Sequence, residues 1–167
     1  MITLEAASPD PPAGLAALLA DLGPGENGFG GTPVHTGQAT LAEYLRQCRD
    51  MPDPAKVRPG RVPQAVFWAL DAAGRAVGMV KVRHYLTDPL RGRGGHISYY
   101  VRRDQHGKGY GKEMLRLALD ELRALGEERA LLTVDEDNAP SIRLIEANGG
   151  QLAEVRTDPD TGAAYRR

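Results

Sequence analysis

This 167-residue sequence has one cysteine, a net charge close to zero and no long apolar run, and each of these features argues against a class of protein. Its one cysteine, Cys48, has no partner for an internal disulfide, so nothing ties the fold to an oxidising compartment. No stretch approaches the ~18 apolar residues of a membrane span, and residues 1–7 lack the basic start and apolar core of a secretion signal. We therefore expect a cytoplasmic protein that makes no membrane contact.

The charges nearly cancel, because 21 Lys and Arg residues stand against 22 Asp and Glu, which gives a formal net charge of −1. This balance argues against a general polyanion binder, so we expect no nucleic-acid partner, and any bound phosphate must be held locally. His35 and His84 have no second ligand at a recognised spacing, and we expect no metal site. Cys48 falls in a helix-like run, where a free cysteine usually behaves as a small apolar residue.

The order of apolar patterns predicts a single α+β domain over residues 1–167. Predicted strands cover residues 2–7, 65–71, 76–85, 96–101, 130–134, 151–157 and 163–167, and predicted helices cover 11–22, 41–49, 109–125 and 140–148. The run 130–134 is nearly all apolar, which is typical of a strand buried on both faces. We expect a mixed, mostly antiparallel sheet of six or seven strands with helices on both faces.

The most informative stretch is the glycine-rich turn from Gln105 to Lys112, which lies between a predicted strand and the clearest predicted helix. The first amides of a helix have no intrahelical partner, and glycines let a ligand approach the backbone. Several N–H groups and the helix dipole can therefore point at one anion. A pyrophosphate fits this arrangement, and Lys108 and Lys112 would add local positive charge.

Two other nucleotide-binding turns do not match this spacing. A P-loop requires glycine five positions before its Gly-Lys pair and Ser or Thr after it, but His106 and Glu113 stand at those places. The dinucleotide fingerprint, counted from Gly107, requires a sixth-position glycine where this chain has Lys112.

The turn resembles the acetyl-CoA pyrophosphate loop of the GCN5-related N-acetyltransferase superfamily, written Arg/Gln, two residues, Gly, one residue, Gly/Ala. Gly109 and Gly111 match that pattern, and the leading position falls on His106. A second block supports the resemblance, because Asn138 and Ser141 occupy the family's positions before and in the last helix, which then ends at glycine. The resemblance covers residues 65–167, and residues 1–64 form the part that varies with the acceptor.

The resemblance implies a three-layer α/β/α fold with acetyl-CoA as co-substrate and no metal. It implies that strands 96–101 and 130–134 splay apart and admit the pantetheine between them. The residues implied to bind the cofactor are Val101 and Arg103 through their backbone, His106, Gly107, Lys108, Gly109, Gly111 and Lys112 in the turn, and Asn138 and Ser141.

Acetylation of an amine needs a group to take the amine proton and sometimes an acid for the leaving thiolate. The tyrosine that many family members use as that acid falls on Ile145 here. We name His96, at the start of the splayed strand, as a candidate general base, and Tyr165 as a second catalytic candidate. Three further tyrosines are open as acids or as core packing residues, namely Tyr99, Tyr100 and Tyr110.

The acceptor is open at this stage. The acidic run Asp135–Asp137 could hold a cationic acceptor or be a solvated loop. Arg91 and Arg93 could attract an acidic acceptor or belong to a mobile loop. We expect an acetyl-CoA-dependent N-acetyltransferase acting on a primary amine of a small molecule. The alternatives are a catalytically silent CoA-binding module and an N-acyltransferase that uses another acyl-CoA. The strands in 151–167 could pair with a second copy to form a homodimer.

Overall fold

The computed structural model describes residues 1–167, and their order of elements follows the predicted order closely. The strands are β1 (Thr3–Ala6), β2 (Gly25–Glu26), β3 (Phe29–Gly30), β4 (Gln64–Leu70), β5 (Ala76–Arg83), β6 (Ile97–Val101), β7 (Val134–Asp135), β8 (Val155–Thr157) and β9 (Ala164–Arg166). The helices are α1 (Leu15–Leu22), α2 (Leu41–Asp50), α3 (Asp88–Gly92), α4 (Tyr110–Ala124) and α5 (Ala139–Glu146). A 3₁₀ turn, Arg103–Gln105, follows β6.

The central sheet has four antiparallel strands in the order β1-β4-β5-β6, and a second sheet has three strands in the order β7-β9-β8. The prediction of a mostly antiparallel sheet is confirmed, but its predicted strands are divided between these two sheets. One isolated bridge, between Gly95 and Leu132, links the chain before β6 to the chain before β7. Beyond this bridge β6 and β7 separate, and the separation opens a cleft.

Helices pack on both faces of the central sheet, as predicted. Alternate residues of β4 and β5, among them Trp68 and Met79, pack with α1 and α2 on one face. The other face, which includes Val80, packs against α4 through Met114 and its neighbours. The α1 and α2 side also carries the β2–β3 hairpin, so the N-terminal part of the chain covers one end of β6.

Three differences from the predicted elements have local causes. The strand predicted at 130–134 is reduced to Val134–Asp135, and none of residues 130–134 is buried, because one side of this segment faces the cleft. Helix α1 begins at Leu15 rather than near residue 11, since Gly14 precedes it with a φ of 79°. In the second sheet β9 is central, so β8 rather than the last strand forms a free edge.

The start of α2 and the surroundings of Cys48 agree with the predictions. Thr40 and Glu43 form a capping box at the start of α2, with the Glu43 carboxylate accepting from the Thr40 N–H at 2.7 Å. Burial raises the pKa of the Cys48 thiol to about 11, which keeps it protonated and unreactive at neutral pH. No helix combines the length and the apolar character that crossing a bilayer requires.

Candidate active site

A cleft of about 740 Å³ runs through the gap between the two sheets. At one end lie the glycine turn and the first turn of α4, and at the other lie the β2–β3 hairpin and the end of β5. Its walls are β6 on one side and the segment from Leu132 to α5 on the other. The cleft therefore joins the two faces of the sheet and has two separate ends.

The outer edge of β6 offers free backbone groups to this cleft. The Arg83 N–H donates to the His96 carbonyl, and the Arg102 N–H donates to the Val77 carbonyl, at 2.8 and 2.9 Å. Successive residues of a strand point their backbone groups in opposite directions, so the even-numbered residues of β6 bond to β5. The N–H and C=O groups of Ile97, Tyr99 and Val101 then face the cleft, where no strand pairs with them.

The glycine turn forms an anion cradle, by which we mean residues 107–112. None of the six backbone N–H groups from Gly107 to Lys112 donates to a protein acceptor. Gly107 and Gly109 have φ values of 79° and 78°, a left-handed conformation that glycine adopts without strain. Consecutive amides in such a turn at a helix N-terminus make a concave site for phosphate oxygens.

Gly111 allows close packing between two helices. A Cβ placed there would lie 2.5 Å from Cδ1 of Leu144, so the glycine lets α5 approach the first turn of α4. Gly107 and Gly109 have nothing within 4 Å of such a Cβ. The glycines of the turn thus serve two purposes that spacing alone does not separate.

The side chains of the turn also differ in what they contact. Nε2 of His106 lies 2.9 Å from the Val101 carbonyl oxygen, so the imidazole fixes the turn to the end of β6. Lys112 lines the cleft. Lys108 donates to Oε1 of Gln105 at 2.8 Å and is not among the lining residues.

The opposite wall is formed by the start of α5. The Asn138 side chain caps this helix by accepting from the Ser141 N–H at 3.3 Å, and both residues line the cleft. The Ser141 hydroxyl is hydrogen-bonded to the hydroxyl of Tyr99, which reaches across from β6. Burial raises the pKa of Tyr99, so its phenol stays protonated. Ile145 lines the same wall with an aliphatic side chain that carries no proton donor.

Arg103 does not face the cleft. Its N–H donates to Oδ2 of Asp21 at 2.8 Å, and its guanidinium pairs with Glu26 at 2.8 Å. The backbone contact to the cofactor predicted for Arg103 therefore has no free donor, because the 3₁₀ turn carries this residue away from the strand edge. Arg103 instead fastens the β2–β3 hairpin to the end of β6.

His96 is also absent from the cleft wall. Its side chain is buried, and its Nδ1 accepts from the Leu131 N–H at 2.9 Å, while its own N–H donates to the Leu131 carbonyl at 2.7 Å. Burial lowers the pKa of His96. These bonds hold the two splayed segments together at the closed end of the cleft, and they keep the imidazole of the predicted base out of the cleft lining.

Tyr165 has a structural place of the same kind. It is buried, its hydroxyl donates to the Gly92 carbonyl at 2.8 Å, and the guanidinium of Arg93 lies 4.4 Å from its ring centroid. Arg93 in turn pairs with Asp135. Glu136 likewise pairs with Arg166. Two of the three carboxylates in the acidic run are therefore paired with arginines.

Sequence reasoning missed the residues at the second end of the cleft. These are Arg83, Ser98 and the hairpin tip Glu26–Phe29. Asn27 and Gly28 both have positive φ values, 48° and 80°, which is the type I′ turn that an Asn-Gly pair favours. That pair is the signal that would have revealed the hairpin, which lies in residues 23–40, where no strand or helix was predicted.

Comparison with known proteins agrees with this geometry. The model of the acetyltransferase (GNAT) family matches residues 37–149. An L-methionine sulfoximine/L-methionine sulfone acetyltransferase of Pseudomonas aeruginosa is 34% identical over 96 residues, which are 54% of this chain and 55% of that protein. A protein with the same description from Pseudomonas paraeruginosa matches equally. The match thus spans about half the length of these curated relatives.

Solved structures share the fold at lower identity. The Salmonella typhimurium protein yncA, solved with its cofactor acetyl-CoA, has a TM-score of 0.66 and 17% identity over 99% of this chain and 90% of its own. Mutant forms of the spermidine/spermine N-acetyltransferase SpeG from Vibrio cholerae reach 0.66 at 16% identity over 100% and 92%. The family model covers more than half of the chain, and its fold and anion cradle agree with that match, so the chain belongs to the acetyltransferase (GNAT) family.

Proposed function

We propose that the protein transfers the acetyl group of acetyl-CoA to a primary amine of a small molecule. The observation that carries this proposal is the continuity of the cleft, in which an anion cradle, a free strand edge and a separate second end lie in sequence. Each part suits one part of the reaction, since a pyrophosphate, a pantetheine and an amine need different surroundings. The fold alone would not support the proposal so closely.

The cofactor would bind from the cradle along β6. The amides of residues 107–112 would hold the pyrophosphate, with Lys112 beside it. The pantetheine amides would pair with the free N–H of Val101 and the free N–H and C=O of Tyr99, and Asn138 would reach them from the opposite wall. A five-residue strand spans roughly 14 Å from its first Cα to its last, so the thioester would come to the middle of β6 near Tyr99.

In the reaction the neutral amine attacks the thioester carbonyl, a C–N bond forms and the C–S bond breaks. We assign Tyr99 as the acid that protonates the leaving thiolate, because its phenol lies on the cleft wall and burial raises its pKa. The Ser141 hydroxyl can donate its hydrogen bond to the phenolate that remains on Tyr99, and a proton from solvent then restores the phenol. The amine proton would pass to water in the open end of the cleft.

The direct test is thiol release from acetyl-CoA, followed with Ellman's reagent, against amino acids, polyamines, aminoglycosides and lysine peptides. We expect release that depends on a small amine and saturates with it, with the acetylated amine identified by mass spectrometry. Calorimetry with CoA is run alongside. Binding of CoA without transfer to any amine would favour the catalytically silent CoA-binding module. Transfer only from a longer acyl-CoA would favour an N-acyltransferase that uses another acyl-CoA.

The cradle can be tested by reversing one charge. Lys112→Glu is expected to raise the Kd for CoA roughly 10- to 30-fold, because it places an anion beside the pyrophosphate at a helix N-terminus. Lys108→Glu is the matched control, with the same charge change four residues away on a side chain bonded to Gln105. We expect less than about a threefold change for it. Equal effects of both variants in calorimetry would show that only the net charge matters.

A further inference from the structure

A half-buried arginine without a carboxylate partner stands at the second end of the cleft. Arg83 is the last residue of β5, and its guanidinium lines the cleft. Nη1 donates to the Gly95 carbonyl at 2.8 Å, with the Gly94 carbonyl and the Ser98 hydroxyl each at 3.5 Å. All of its hydrogen bonds to the protein use Nη1, so Nε and Nη2 have no protein partner.

The groups around Arg83 do not compensate its positive charge. Burial and the neighbouring Arg61 both lower the pKa of Arg83, and no carboxylate acts on it. Lys81, two residues earlier on the same face of β5, is also desolvated without a carboxylate, and its Nζ lies 4.6 Å from the centroid of the Phe29 ring. By contrast, Arg93 nearby is paired with Asp135.

The only carboxylate lining the cleft near the hairpin already forms an ion pair with another arginine. Glu26 pairs with Arg103 at 2.8 Å and is therefore largely neutralised. The second end of the cleft thus holds the desolvated guanidinium of Arg83 and little negative charge to balance it. Such a site favours a ligand that brings its own anion, since a charge-assisted hydrogen bond to guanidinium is stronger than a neutral one.

We propose that Arg83 binds an anionic group of the acceptor, so that the amines acetylated are amino acids or close analogues bearing a carboxylate. Nε and Nη2 are the free edge of the guanidinium, which suits a two-point contact with carboxylate oxygens. This inference rests on the proposed function, because it names the acceptor of the same reaction.

The position of Arg83 also limits the distance between amine and anion. Its Nη1 lies 3.5 Å from the hydroxyl of Ser98, which directly precedes Tyr99 in the middle of β6. A carboxylate held there keeps an α-amine within a few bonds of the strand position where the thioester would lie. The site therefore suits α-amino acids better than acceptors whose amine and anion are far apart.

The test compares each L-amino acid with its own carboxamide as acceptor. The amine of a carboxamide is less basic and more often neutral, so without anion recognition the carboxamide would react faster. We expect wild-type protein to prefer the carboxylate in kcat/KM. Arg83→Met should raise KM for the amino acid about 100-fold with little change in kcat, and should leave the carboxamide nearly unaffected.

Controls keep the outcomes separate. Arg91→Met removes an exposed arginine outside the cleft and should leave kcat/KM unchanged for both the amino acid and its carboxamide. The Kd of CoA, measured by calorimetry, should be unchanged in both variants, and Arg83→Lys serves if Arg83→Met does not fold. Calorimetric titration of amino acids into the CoA-loaded protein tests the anion site without turnover. A wild-type preference for carboxamides, or equal losses for both acceptors, would overturn the assignment, whereas binding without transfer would refute only the proposed reaction.

Discussion

Replacing Tyr99 by Phe is expected to lower the rate of acetyl transfer about 100-fold, because the leaving thiolate loses its proton donor. The substitution removes only the hydroxyl that bonds to Ser141, and Phe fills the same space between β6 and α5. The Kd of CoA should change by less than about threefold, since one neutral hydrogen bond contributes little net affinity. The measurement is a single-turnover reaction with saturating acceptor, which separates chemistry from product release.

Tyr110→Phe is the matched control, because Tyr110 also lines the cleft but its hydroxyl has no hydrogen-bond partner in the protein. We expect its rate to stay near that of wild type. Burial raises the pKa of Tyr99 above its ordinary value of 10.0, so the wild-type rate should not fall through loss of this proton below that pH. A Tyr99→Phe rate equal to wild type would remove Tyr99 from the mechanism and leave protonation of the thiolate to solvent.

His96→Ala is expected to lower the free energy of unfolding by roughly 2 to 4 kcal/mol, from a lost buried acceptor and the cavity left behind. The Leu131 N–H would have no partner in the variant. His96→Asn should recover much of the loss, because its Oδ1 can replace Nδ1 as the acceptor. Urea unfolding measures the three proteins, and the rate per folded molecule should remain within a few-fold of wild type if His96 is structural.

The same histidine predicts a pH dependence of stability. Burial lowers the pKa of His96 below its ordinary value of 6.5, so the unfolded chain takes up this proton more readily than the folded protein. The stabilisation is complete above pH 6.5 and is lost as the pH falls from there toward the lowered pKa. His84 shifts in the same direction, so His84→Asn is measured as well. A stability curve that His96→Asn leaves unchanged between pH 7.5 and 5.5 would contradict this account.

Most local features were predictable because neighbouring residues determine them. Thr40 and Glu43 cap α2, and Asn138 caps α5, through side chains that reach only three residues along the chain. The cradle was predictable for the same reason, since a glycine turn followed by a helix leaves the amides of the turn and of the first helical residues without backbone acceptors. Antiparallel pairing of β4 and β5 followed from two apolar runs joined by a short turn at residues 72–75.

Roles that depend on distant residues were not predictable. His96 lies at the strand start where a base was expected, yet Leu131, 35 residues away, holds it out of the cleft. Arg103 was expected at the cofactor, yet Asp21 and Glu26, 82 and 77 residues away, hold it at the hairpin. In each case the side chain satisfies its hydrogen bonds with a partner that no local pattern reveals.

The sequence by itself indicated the family through the motifs that it resembles. It also determined the order of the elements and the anion cradle, because these depend on periodicity and short-range capping. Only the tertiary structure decided which side chains line the cleft. Tyr99 meets Ser141 across 42 residues, and Arg83 is left without a carboxylate because the chain brings only carbonyls and a hydroxyl to it. Contacts across the fold and the absence of a counter-charge are properties of the folded surroundings, which no local sequence pattern contains.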